Sequence, residues 1–132
     1  MRHSRRILVA DSSKYFNATF WRMLIPEPEF EIVGLANNTE DALKMAHTLS
    51  PDIVLADITR STLSGLRIVE ALRAVHPGMP IITFRPVASQ EYTQAALNAG
   101  ATACLTKSEL AEVLPQTLYN LTQGQSPVST NP

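Results

Sequence analysis

The chain has a single cysteine, one tryptophan and five glycines in 132 residues. One cysteine, Cys104, excludes an intrachain disulfide. It lies in the apolar run Ala103-Cys104-Leu105, where a small buried hydrophobe is the expectation rather than a reactive thiol. Long apolar runs are absent too. Ile7-Leu8-Val9-Ala10 is interrupted by Asp11, too early for a signal-peptide core, and no stretch is long enough for a membrane-spanning helix. A cytoplasmic protein without membrane contact is expected. The chain also lacks a dominant charge: 11 Lys and Arg against 12 Asp and Glu give a net charge of −1. No global field therefore draws it to nucleic acid, and no direct nucleic-acid contact is expected. The basic start, Arg2, His3, Arg5 and Arg6, is short and reads as the solvated flank of a strand. His3, His47 and His76 do not share metal-ligand spacing, and no glycine-rich phosphate loop follows the first apolar run.

What is present is an alternation. Short apolar runs at Ile7–Ala10, Ile32–Ala36, Ile53–Ala56, Ile81–Phe84 and Thr102–Thr106 read as strands covered on both faces. Helical patterns lie between and after them. Phe16, Phe20 and Leu24 form the first stripe, with Ser12 or Ser13 as cap and Pro26 and Pro28 as stop. Ala42, Leu43, Ala46 and Leu49 form the second, started by Asn38 or Thr39 and stopped by Ser50-Pro51. Leu66, Val69, Leu72 and Val75 form the third, after a loop through Gly65 and ending at His76-Pro77-Gly78. Ser89 is placed to cap a fourth that stops at Gly100, and Ser108 to cap a fifth carrying Leu110, Leu114, Leu118 and Leu121. Pro115 predicts a kink or early break in that last helix. Five strands alternating with five helices predict an α/β fold. It is a doubly wound five-stranded parallel sheet of flavodoxin-like order 2-1-3-4-5, with helices on both faces. One domain is expected over residues 1–123, and residues 124–132 read as a disordered tail or linker stub.

In such a sheet the carboxyl ends of the strands converge on one crevice. Here they carry Asp11, Asp57, Arg85 and Lys107. Two carboxylates and two cations in one cleft suit phosphoryl chemistry or a structural ion-pair cluster.

Several segments together carry a family resemblance: Ile7-Leu8-Val9-Ala10-Asp11, Pro51-Asp52-Ile53-Val54-Leu55-Ala56-Asp57-Ile58, Gly65-Leu66, Pro80-Ile81-Ile82 and Ala99-Gly100-Ala101 followed by Lys107. On these the chain resembles the receiver domains of two-component response regulators, over about residues 5 to 123. Glu31-Ile32-Val33-Gly34 and Leu72-Arg73 with His76-Pro77 look most like receivers of NarL-type regulators, which also carry a helix-turn-helix output domain; no such segment follows in this sequence. The resemblance implies a phospho-acceptor at Asp57, served by a histidine kinase. It implies Mg²⁺ held by acids of the first loop and by Asp57, and Lys107 contacting the phosphoryl oxygens. It also implies partner binding or homodimer formation through the fourth helix, fifth strand and fifth helix.

The sequence departs from that pattern at the site itself. The first loop normally has two adjacent acids; here it reads Asp11-Ser12, so a direct Mg²⁺ ligand becomes a neutral hydroxyl. The Thr or Ser that follows strand four in relatives is Arg85, followed by Pro86, and the aromatic switch position on strand five is Cys104. Asp11, Asp57, Lys107 and Arg85 sum to about zero charge without a metal, and Arg85 can pair bidentately with a carboxylate. The expected function is an atypical receiver module acting through protein–protein contacts, with Mg²⁺-dependent phosphorylation at Asp57 impaired or absent. The alternative is a working phospho-acceptor switched by a histidine kinase. A non-enzymatic role is expected: Asp57-Ile58-Thr59 only faintly matches the aspartate-nucleophile motif of small phosphohydrolases, because Thr59 stands where a second acid is needed.

Overall fold

The computed structural model describes residues 5–11, 25, 29–57, 63–85, 90–106 and 109–122. They form strands β1 (Arg5–Asp11), β2 (Phe30–Ala36), β3 (Ile53–Asp57), β4 (Ile81–Arg85) and β5 (Ala103–Thr106). The helices among them are α1 (Thr39–Leu49), α2 (Leu63–Val75), α3 (Gln90–Ala99) and α4 (Leu110–Thr122). All strand pairs are parallel, and the order is β2-β1-β3-β4-β5, as the alternation predicts.

Successive strand residues point to opposite faces, so the apolar runs divide into two cores. On one face Ile7, Val9, Ile53, Leu55, Ile82, Phe84 and Leu105 pack against Leu114 and Leu118 of α4. On the other, Leu8, Ala10, Val54, Ala56 and Ile81 meet Ala42 and Ala46 of α1, Ile68, Val69 and Leu72 of α2, and Ala96 of α3. Helices therefore cover both faces. This double burial is why the runs show no polar alternation. A fully buried leucine such as Leu72 or Leu114 contributes about 2 kcal/mol by leaving water.

The helix ends follow from local chemistry. Asn38 caps α1, its Oδ1 accepting from the Asp41 N–H at 2.8 Å, and Glu40 and Asp41 sit favourably in the first turn. Ser50 closes α1 in the left-handed region at φ 47°. Arg6 holds that end to β1, since its Nη2 donates to Leu49 O at 2.8 Å and its backbone N–H to Asp52 Oδ2 at 2.7 Å.

Some expectations need correction. Helix α2 starts at Leu63, two residues before Gly65, where a first-turn glycine costs less than one in mid-helix. Val75 is not part of the buried stripe: it is 61% exposed at the last helical position, and the stripe ends at Leu72. Strand β4 reaches Arg85, one residue beyond the Ile81–Phe84 run, whereas β1 ends at Asp11 as expected. Pro115 does not end the last helix, which continues to Thr122. The carbonyl crowded by the proline ring is that of Ala111, in the opening turn, where it has most freedom to tilt outward. Cys104 is half-buried rather than fully buried, because β5 is an edge strand. The first helix with Phe16, Phe20, Trp21 and Leu24, the caps Ser89 and Ser108, and the tail 124–132 lie outside the described residues.

At the amino-terminal edge of the sheet, Arg73 of α2 joins two connections. Its Nε donates to Gly100 O at 2.8 Å, Nη1 to Pro77 O at 2.7 Å and His76 O at 3.2 Å, and Nη2 to Thr102 Oγ1 at 3.3 Å. Thr102 Oγ1 also accepts from the Ile81 N–H at 3.0 Å, which carries the link into β4. Partial burial pulls the Arg73 pKa below its ordinary value. Gly100 is required here twice over. Its φ is +118°, and a Cβ would lie 2.6 Å from Arg73 Cγ. Gly100→Ala is therefore expected to lower unfolding stability by about 2 kcal/mol or more in equilibrium denaturation. An unchanged midpoint would contradict this account of the junction.

Candidate functional site

The ladder decides which side chains meet at the carboxyl edge. Strands β1 and β3 run in register from Ile7↔Ile53 to Asp11↔Asp57, so the two aspartates are direct partners on adjacent strands. Their backbones are then separated by about one inter-strand spacing, roughly 5 Å. Both are nearly dry, with Asp11 5% and Asp57 6% exposed. Asp57 pairs in turn with Phe84 of β4, which is fully buried, and the next residue, Arg85, pairs with Thr106 at the end of β5. Three strand ends and the last residue of β5 thus form one rim.

Below this rim the residues on the α1–α3 face are small. Ala10, Ala56, Thr83 and Cys104 are consecutive register partners across four strands. Thr83 is fully buried and its hydroxyl donates to Ala103 O at 3.4 Å, which supports a structural role. Thr106 is 8% exposed and is held by Glu109, just before α4. Glu109 Oε1 accepts from the Thr106 N–H at 2.8 Å and from its hydroxyl at 2.7 Å. The sequence reading passed over this contact. Its signal was the Thr106-x-x-Glu109 spacing, in which an acid three residues past a Thr reaches back to the backbone N–H.

Of the residues picked out from sequence, Asp11 and Asp57 are brought together. Arg85 is placed on β4 one step beyond the partner of Asp57, and its side chain lies outside what the structure describes. Ser12, Arg60, Lys107 and Ser108 also lie outside the described residues. His47 is exposed on α1, and His76 is half-buried after α2. No group of three or more His, Cys, Asp or Glu able to hold a metal occurs among the described residues. Among the described residues, the acids at this rim are Asp11 and Asp57.

The receiver domain model for response regulators matches residues 7–119. The chain is 33% identical over 104 residues to a protein-glutamate methylesterase/protein-glutamine glutaminase of Halalkalibacterium halodurans, covering 77% of this chain and 30% of that protein. It is 28% identical over 124 residues to the response regulator GacA of Pseudomonas viridiflava, covering 94% of this chain and 58% of that one. The chain thus spans less than two thirds of these relatives' length. Among solved structures, a LuxR-family two-component response regulator from Aurantimonas sp. superposes with a TM-score of 0.82 at 23% identity, covering 96% of this chain and 91% of that chain. At that identity the likeness speaks for the fold.

Two nearly dry carboxylates on adjacent, in-register strands share one environment, so substitutions at the two positions are coupled. The double variant Asp11→Asn/Asp57→Asn is expected to depart from the sum of the single variants by about 0.5 kcal/mol or more at neutral pH. A urea double-mutant cycle measures this; strict additivity would show that the two carboxylates are not coupled.

Proposed function

We propose, from the premise that this chain belongs to the response regulator receiver domain family, that it is an atypical receiver of a two-component phosphorelay. In this reading it works through protein–protein contacts, with Mg²⁺-dependent phosphorylation of Asp57 impaired or absent. Receivers generally are signalling modules rather than enzymes. They interact with histidine kinases and other signalling proteins and bind Mg²⁺ at the phosphorylation site. The finer reading rests on one observation, the joint change around the buried Asp11–Asp57 pair: Ser12 where relatives have an acid, and Arg85 where they have a hydroxyl.

The chemistry explains why that change matters. An aspartate attacking phosphorus builds negative charge on the phosphoryl oxygens, and a divalent ion with a lysine normally offsets it. With one ligand acid lost, the ion is held less tightly. With an arginine gained at the end of β4, one step beyond the partner of Asp57, this edge gains a +1 charge without any ion. In this reading Arg85 takes over the electrostatic role of the metal and Lys107 remains its companion. Asp57 is then a permanently paired carboxylate, and no step runs through bound Mg²⁺. The replacement of the hydroxyl also removes the residue that would bond the phosphoryl group and relay the change.

Signalling then falls to a surface. The face formed by α3, β5 and α4 is the candidate for a signalling partner or a second copy, and Tyr92 and Leu97 of α3 are 40% and 41% exposed there. The unit is residues 1–123, acting in the cytoplasm without contacting nucleic acid itself and supplying a transcriptional or other output carried elsewhere. No helix among the described residues is long and apolar enough to cross a membrane.

A second reading has its own support. Asp11 and Asp57 keep the in-register pairing that a phospho-acceptor needs, so a working receiver switched by a histidine kinase is the alternative. Acetyl phosphate or phosphoramidate with Mg²⁺, followed by intact-mass measurement, separates the two. No added phosphate is expected on this chain under conditions that label a control receiver; stoichiometric labelling lost in Asp57→Asn would establish the alternative. Calorimetry provides the companion prediction. Mg²⁺ binding is expected to be weaker than millimolar in the wild type and to strengthen in Arg85→Ala, whereas millimolar or tighter wild-type affinity would remove the metal-substitute role of Arg85.

A further inference from the structure

We draw no further inference here: the strongest candidate, the outer face of α3 with its exposed Leu97 and the Gln94–Asn98 amide pair beside the edge strand β5, carries nothing because nothing in the structure shows what covers it.

Discussion

Placing two carboxylates side by side where little water reaches them is unfavourable, and the parallel ladder of β1 and β3 enforces it. The in-register pairing from Ile7↔Ile53 onward leaves Asp11 and Asp57 no freedom to separate along the strands. Slipping the register by one residue would move every apolar side chain of these two central strands to the wrong face, at a cost far above that of the charge repulsion. The hydrophobic cores therefore hold the electrostatic strain of the site in place. Whatever cation neutralises the pair, whether metal, lysine or arginine, works against a geometry that is already fixed. In the reading proposed above, the residues at positions 12, 85 and 107 then decide the chemistry, while the sheet beneath stays common to the family.

Much of this was legible in the sequence because burial on both faces leaves uninterrupted apolar runs. Ile53–Ala56 could be read as a central strand from four residues, and the strand order followed from the alternation with helices. The strand-end places of Asp11, Asp57 and Arg85 were legible for the same reason: the first charged residue after such a run stands at its end. What escaped reading was of another kind. Val75 continues the helical stripe in sequence, yet α2 ends there and no neighbouring element covers it. Pro115 argued for a break, but sits early enough in α4 for one turn to absorb it. Glu109 was missed because periodicity arguments track apolar residues, and its contribution is a hydrogen bond from a polar side chain to a strand end. The four-bonded Arg73 was visible only as part of a resemblance, since three of its acceptors are backbone carbonyls that no pattern of side chains announces.

The relatives place these features in context without fixing their use. A methylesterase and a GacA-type regulator each carry a segment like this one within a longer protein. The same sheet edge thus accompanies quite different outputs, consistent with function residing in rim residues and contact surfaces rather than in the fold.

The Arg73 junction gives this separation a physical basis. It clamps the connections entering β4 and β5, at the opposite end of the sheet from Asp57. A domain anchored at one end can tolerate change at the other. Loss of an acid or arrival of an arginine at the carboxyl rim leaves the clamp and both cores untouched, so such variants remain folded and open to selection for other uses. The rim of this protein can accordingly drift through charge arrangements that a less firmly anchored scaffold would not survive.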